Sequence, residues 1–249
     1  MTTKSQVVFR AFVLMVVVVF SLAATAQLPG RNRHHAQSAQ VKIDPKNFVS
    51  EIDNPFMPLR PGTTFHFEGE KDGVPATDDF HVTHRTKVIM GVRCVEVSDQ
   101  AFEEGKLVEK TRDWFAQDKA GNVWYFGEDT IEFLPGGGSS KEGSWLAGTN
   151  GASPGIVMEA HPKVGDVYHQ ENAPGVAQDR AQVLNRDAER CVKFGCFDDL
   201  LVTKDFSPLE PVVEHKYYAK GVGFIFSVMV KGGNERTQLA SVTGGDRDD

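Results

Sequence analysis

The chain has 249 residues, of which 40% are hydrophobic and 24% charged, and its formal net charge is −7. This acidic balance argues against a nucleic-acid partner, because proteins that bind nucleic acid present a basic patch. The length suits one large β-rich domain or two small ones.

The first 26 residues have the three parts of a cleavable signal peptide. Lys4 and Arg10 precede an apolar run from Ala11 to Leu22, and Ala24 and Ala26 occupy the small positions before a cleavage site. The run is too short for a membrane-spanning helix, which needs about 20 residues. We therefore predict export, to the periplasm or the cell exterior, with cleavage after Ala26 and no stable membrane anchor afterwards.

The segments that flank the body lack apolar periodicity. Residues 27–42 are polar and predict a flexible leader, whereas residues 244–249 predict a disordered tail. Between them, residues 43–243 are expected to form a single domain. Loss of the two positive charges of residues 1–26 would take the net charge from −7 to −9.

Apolar and polar residues alternate through the body in runs bounded by Gly, Asn and Asp, which is typical of antiparallel strands. Many of the 17 phenylalanines lie in these runs. The predicted fold is all-β: an antiparallel two-sheet sandwich, half-barrel or partly open barrel built from two related β-meanders. Strands are predicted near residues 63–70, 79–90, 92–102, 106–118, 122–134, 166–172, 178–192, 197–206, 212–220, 223–231 and 234–243.

The two meanders are predicted from an internal duplication. Tyr168 corresponds to Phe65, and Tyr217 corresponds to Trp114, each at an offset of about 103 residues. A strand at 91–97 has its counterpart at 195–202. The repeats would span about 61–134 and 163–231, and a Gly-rich connection, 135–162, would join them.

Three stretches carry a family resemblance: Asn54–Phe65 (NPFMPLRPGTTF), Asp113–Glu128 (DWFAQDKAGNVWYFGE) and Glu214–Gly223 (EHKYYAKGVG). They resemble an exported bacterial family of largely hypothetical proteins and, more loosely, other secreted β-rich domains of unknown function. The resemblance implies a fold and a compartment, and it implies no reaction.

The three cysteines separate into a pair and a single residue. Cys191 and Cys196 bracket four residues, so a hairpin could join them by a disulfide in an oxidising compartment. Cys94 lies in an alternating strand, and we interpret it as a core thiol.

Aromatic and acidic side chains are concentrated in residues 113–132. Alternation predicts Trp124, Phe126 and Glu128 on one face of a strand and Tyr125 on the other. A ring beside a carboxylate can hold a sugar or a cationic ligand; alternatively, the rings fill the core and the acids are solvated.

The ligand-binding hypothesis uses tryptophan and tyrosine rings from residues 113–132 together with the rings of Trp145 and Tyr217. We predict a cleft in which Trp124 lies at the rim and Trp114 is closer to the core. It would hold a small apolar or carbohydrate-like molecule, a glycan, or a partner in the cell envelope. The predicted lining residues are Trp124, Tyr125, Trp145, Trp114 and Tyr217.

The alternative function is a polysaccharide hydrolase or lyase. Its candidate catalytic residues are His215, Glu128 and Glu214, since glycoside hydrolysis needs two carboxylates facing each other about 5–10 Å apart. Glu128 with Glu171, or Asp113 with Glu214, could form such a pair.

Other chemistry has little support in the sequence. His81 and His84 would point to opposite faces of a strand, so they cannot chelate one ion. Motifs for a serine nucleophile or a nucleotide phosphate are absent. We therefore predict no metal and no cofactor, and we favour a non-catalytic binding or accessory protein.

Overall fold

A computed structural model of the protein describes residues 42–245. The predicted signal peptide, almost all of the predicted leader and the last four residues lie outside this range. Among the described residues, no helix has the length and apolar character needed to cross a membrane. The described chain is nearly all β-strand, so the predicted fold class is confirmed.

Fifteen antiparallel strands form one sheet. They are β1 (Thr64–Lys71), β2 (Val74–Ile89), β3 (Val92–Glu103), β4 (Lys106–Gln117), β5 (Val123–Phe133), β6 (Ser139–Ser140), β7 (Trp145–Leu146), β8 (Ser153–Met158), β9 (Val167–His169), β10 (Glu171–Asn172), β11 (Arg180–Val192), β12 (Gly195–Phe206), β13 (Val213–Ala219), β14 (Gly223–Lys231) and β15 (Glu235–Thr243).

The sheet order is β10-β8-β5-β4-β3-β2-β1-β15-β14-β13-β12-β11-β9, with β6 and β7 paired to β5. The two strands at the ends of this order, β9 and β10, are neighbours in the chain and are separated only by Gln170. One extended run, residues 167–172, therefore pairs with β11 through its first half and with β8 through its second. The sheet is nearly closed and barrel-shaped, as in the predicted partly open barrel.

The predicted repeats can be compared through their strand orders. Residues 61–134 contain β1 to β5 in consecutive pairing, and residues 163–231 contain β9, β11, β12, β13 and β14 in consecutive pairing. The strand β15 joins β14 to β1, and β8 pairs with β5 at the other junction. This order is the one that two similar meanders would show, and their origin by duplication stays a prediction.

The predicted connection, 135–162, contains three strands. Both β6 and β7 have two residues, and β8 has six, all paired with β5. They escape prediction because Gly and Ser interrupt the alternation on which strand prediction depends.

The segment before β1 packs along the outside of the sheet. Phe48 contacts the rings of Trp124 and Phe126, with centroids 6.2 and 5.6 Å away. The backbone N–H of Val49 donates to the carbonyl oxygen of Gln117 at 2.9 Å. Further along, the N–H of Gly221 donates to the carbonyl of Pro55 at 2.7 Å, so the segment arrives at one end of the barrel.

Candidate ligand-binding cavity

An apolar cavity lies inside the barrel at the end that residues 55–59 cover. It contains roughly 540 Å³ of empty space, a figure that includes the open solvent at its mouth. Its surface is apolar apart from Gln170 and Lys216. The lining residues are Met57, Pro58, Leu59, Phe65, Phe67, Phe80, Val157, Gln170, Lys216, Tyr218, Val222, Gly223 and Phe224.

Four phenylalanines from three strands form the wall of the cavity. Phe65 and Phe67 are two residues apart on β1, so strand alternation aims both at the interior. Phe65 meets Phe80 of β2 at a centroid distance of 6.2 Å, and Phe67 meets Phe224 of β14 at 5.4 Å. Tyr218 packs edge-on against Phe224 at 5.7 Å. These edge-on and tilted ring contacts fix the rings around the space.

The rim consists of the segment before β1 and the β13–β14 turn. Met57 and Pro58 are half-buried, as is Val222 in the turn, whereas Leu59 is buried below them. The hydrogen bond from Gly221 to Pro55 holds the two parts of the rim together. Val222 is thus placed where an occupant would enter.

Lys216 and Gln170 form the polar floor. Lys216 Nζ lies 3.2 Å from Asp205 Oδ2 and 3.5 Å from Glu214 Oε2. Burial by itself would lower the pKa of Lys216, but Asp205 and Glu214 raise it well above its ordinary value. Gln170 Nε2 donates to the same Asp205 oxygen at 3.2 Å. Lys216 is therefore a fixed cation whose charge two carboxylates already compensate.

A second, smaller cavity lies on the other side of Lys216. It contains roughly 280 Å³ including its mouth, and Asp179, Asp205, Glu210 and Glu214 line it together with Lys216. Burial raises the pKa of Asp179 to about 7. The negative groups next to the floor are therefore chiefly Asp205 and Glu214, two carboxylates against the one ammonium of Lys216.

The inner face of the other half of the barrel carries buried carboxyl groups. Asp78 and Asp99 are buried near each other on the paired strands β2 and β3. Burial raises the pKa of both well above the ordinary value. Asp113 lies near them, and burial raises its pKa to about 7. These groups are sealed from solvent, with exposed fractions of 1–2%, so a polysaccharide cannot reach them.

Two of the predicted ligand-binding residues meet inside the barrel. The rings of Tyr125 and Trp145 make an edge contact at 5.4 Å. Tyr125 donates its hydroxyl to Asp113, and Trp145 donates Nε1–H to Glu171 Oε1 at 3.0 Å. Both side chains are buried and neither lines the cavity.

The other three predicted ligand-binding residues lie on the outer face of the sheet, apart from one another. The ammonium of Lys87 lies 3.5 Å from the ring centroid of Trp114. Trp124 donates to Asp118 Oδ2 at 2.9 Å, and Tyr217 lies under the guanidinium of Arg190. The five rings therefore do not form one cleft, and none of them lines the cavity.

The facing predicted for Glu128 is wrong, and a β-bulge is the reason. Tyr125 pairs with Phe115 and Glu128 pairs with Asp113, so three residue steps on β5 oppose two on β4. The extra residue turns Glu128 to the face of Tyr125. Gly127 makes this possible, since it has φ 133° and a Cβ there would lie 2.4 Å from the carbonyl oxygen of Trp145.

The three predicted catalytic residues do not converge either. His215 alternates with the cavity residue Lys216 and so faces outward. Glu214 lines the smaller cavity, paired with Lys216, and Glu128 is buried on the far half of the barrel beside Trp145. Among residues 42–245, no group of three or more His, Cys, Asp or Glu side chains is arranged to hold a metal ion.

Sequence reasoning missed the cavity residues as a site. Phe65, Phe67, Phe80 and Phe224 all lie in predicted strands, and the alternate spacing of Phe65 and Phe67 indicates a buried face. Nothing in the sequence separates a ring that faces a cavity from one that faces packed atoms.

The cysteines are placed on a hairpin and in the core. Cys191 and Cys196 are directly opposed in the β11–β12 pair and form a disulfide, with their Cα atoms 3.9 Å apart. Cys94 is a buried free thiol, and burial raises its pKa to about 12.

The chain matches no protein-family profile and no curated protein. Two solved structures are similar to it, each with 11% identity, a TM-score of 0.42 and 76% of this chain covered. One is a candidate exported protein with a YmcC-like fold from Bacteroides fragilis, covered over 98% of its length. The other is a candidate lipoprotein from Parabacteroides distasonis, covered over 99%. This likeness is too distant to assign a function.

Proposed function

We propose that this is an exported, non-catalytic protein that binds a small apolar molecule in the cavity between Phe67 and Phe224. The observation that carries the proposal is the cavity itself: an open-mouthed space inside a packed barrel, surrounded almost entirely by apolar atoms. Protein interiors are normally close-packed, with few voids larger than a water molecule. A preformed apolar space with an open mouth is typical of ligand-binding proteins.

The lining favours an apolar ligand over a carbohydrate. A sugar needs several polar partners, because each hydroxyl that is buried without a hydrogen bond costs about 1–3 kcal/mol. Besides the phenol of Tyr218, the lining offers only Gln170 and Lys216, and the amide nitrogen of Gln170 and the ammonium of Lys216 are already engaged with Asp205. Each apolar Å² removed from water contributes roughly 25 cal/mol, so burial of an alkyl or aromatic body supplies the affinity.

The lining also disfavours catalysis in this cavity. General acid–base chemistry needs a group that can exchange a proton near the working pH. Lys216 is the only titratable side chain of the floor, apart from the phenol of Tyr218, and its pKa lies well above the ordinary value. No carboxylate is in the lining, so the carboxylate pair of a glycosidase cannot operate here.

The proposal can be tested with N-phenyl-1-naphthylamine, a neutral probe whose fluorescence rises in apolar surroundings. We expect saturable enhancement with the exported protein. Val222→Trp should abolish it, because the indole would fill the rim. Val164→Trp is the matched control: it makes the same change in a turn where the valine is 65% exposed and does not line the cavity. Absence of enhancement in the wild-type protein, or equal binding by both variants, would contradict the proposal.

A further inference from the structure

The orientation of Gln170 leaves one hydrogen-bonding atom available at the floor. Its Nε2 donates to Asp205 Oδ2. An ionised carboxylate only accepts hydrogen bonds, so the amide nitrogen must face Asp205 and the amide oxygen must point away. Within residues 42–245, no hydrogen bond ends on Gln170 Oε1.

The amide oxygen is in contact with the cavity. Gln170 is only 2% exposed. Its Oε1 is nevertheless not one of the buried side-chain atoms that lack both solvent access and a hydrogen-bond partner, so this oxygen touches open space. Since Gln170 lines the cavity, the space that this oxygen touches is the cavity. Oε1 can only accept, and it therefore suits a group that donates.

The charges around the floor point to the same kind of group. The one ammonium, on Lys216, is held between Asp205 and Glu214. These are two carboxylates against one cation. In a low-dielectric interior, this excess of negative groups repels a carboxylate or phosphate head and favours a neutral or cationic one.

We propose that the ligand is an apolar molecule whose buried end is a hydrogen-bond donor, a hydroxyl or an amine, that donates to Gln170 Oε1. An anionic amphiphile such as a fatty acid is excluded. This inference rests on the proposed function, because it concerns the same cavity, and it adds the chemical class of the ligand.

The test compares three compounds with the same alkyl chain: decanol, decyl methyl ether and decanoate. Each is titrated against bound N-phenyl-1-naphthylamine at neutral pH. Decanol can donate a hydrogen bond, the ether cannot, and decanoate is charged. We expect decanol to displace the probe at roughly tenfold lower concentration than the ether, as one buried hydrogen bond permits, and decanoate to be weaker than decanol.

The variant Gln170→Met keeps the length of the side chain and removes the acceptor. Its preference for decanol over the ether should disappear while probe binding remains. The readout is the ratio of the concentrations at which decanol and the ether displace the probe from the same variant. A general loss of stability affects both concentrations alike and leaves this ratio unchanged. Should Gln170→Met fail to fold, the comparison of decanol with the ether on the wild-type protein decides alone.

The outcomes separate the two proposals. Equal displacement by decanol and its ether, or tightest binding of decanoate, overturns the donor-headed ligand while binding in the cavity stands. An unchanged decanol preference in Gln170→Met overturns the role of that acceptor. If neither the probe nor any compound binds the wild-type protein, the proposed function itself fails.

Discussion

Tyr125 donates its hydroxyl hydrogen to Asp113 Oδ1 over 2.6 Å, and both side chains are buried inside the barrel. This bond favours the ionised form of Asp113. Desolvation opposes it and prevails, so the pKa of Asp113 rises from 3.8 to about 7. The barrel thus buries a carboxyl group that changes charge near neutral pH.

The stability of the protein should therefore depend on this carboxyl group. A pKa raised by folding means that the folded state holds a proton that the unfolded state has released. The contribution of Asp113 is fully present below about pH 4 and is lost as the pH rises to about 7. One such group produces a slope of up to about 1.4 kcal/mol per pH unit.

Asp113→Asn tests this contribution, since the amide oxygen can still accept from Tyr125. We expect the variant to gain stability relative to the wild-type protein when urea unfolding is measured at pH 8 instead of pH 5. Asp187→Asn, an exposed position, is the control and should show no such gain. The same difference from wild type at both pH values would contradict the prediction.

The disulfide predicts a defined pattern of thiol reactivity. In native protein without reductant, no cysteine should be alkylated quickly, because Cys94 is buried and Cys191 is joined to Cys196. Urea should release one thiol, and urea with reductant should release three. Mass spectrometry counts the labels, and three labels without reductant would exclude the disulfide.

Replacing both Cys191 and Cys196 by Ser should lower the free energy of unfolding by about 2 kcal/mol. This value follows from the entropy of closing so short a loop. No residue of the hairpin that they join lines the cavity, so binding of N-phenyl-1-naphthylamine should be unchanged. A loss of binding would show that the hairpin supports the site.

The tryptophans Trp114 and Trp124 should differ in their contribution to stability. Trp114 is 3% exposed, and Trp114→Ala should cost about 3–5 kcal/mol in chemical denaturation. Trp124 is half-buried against Phe48, so Trp124→Ala should cost less. Equal costs would show that Trp124 is a core residue.

Neither tryptophan lines the cavity, so the same two variants also test whether the ligand binds there or at Trp124. Both should bind N-phenyl-1-naphthylamine like the wild-type protein at a urea concentration where they remain folded. Weaker binding by Trp124→Ala alone would restore the sequence-based hypothesis of a cleft at Trp124.

Export and cleavage give a prediction about the N-terminus. The mature chain should begin at Gln27, because Ala24 and Ala26 satisfy the signal peptidase. N-terminal sequencing of protein from the host's periplasm or medium checks this. An intact Met1 on exported material would contradict it.

Most strands could be predicted from the sequence because alternation is a local property. The runs around Phe65 and around Phe226, for example, lie in β1 and β14 as expected. The face of the sheet to which each side chain points is harder to predict. The bulge at Gly127 reverses Glu128, and a bulge depends on the close passage of Trp145, which lies outside the local pattern.

The cavity could not be predicted for a related reason. Its floor joins Gln170 with Lys216, and its wall joins Phe67 with Phe224. These contacts depend on which strands meet across the interior of a nearly closed sheet, and no periodicity reports that. The sequence-based hypothesis depends on tryptophan and tyrosine, whereas four of the lining residues are phenylalanines.

The short run of residues 167–172 has a consequence for strand recruitment between molecules. The strands β11 and β8 would otherwise leave backbone groups unpaired at the two ends of the sheet order, where a strand from another molecule can pair. Because this single run pairs with Arg180–Gln182 of β11 and with Ser153 and Pro154 of β8, local fraying there would unpair both strands together. Protection of these two edge segments thus depends on six residues around Gln170, the same residue that lines the floor of the cavity.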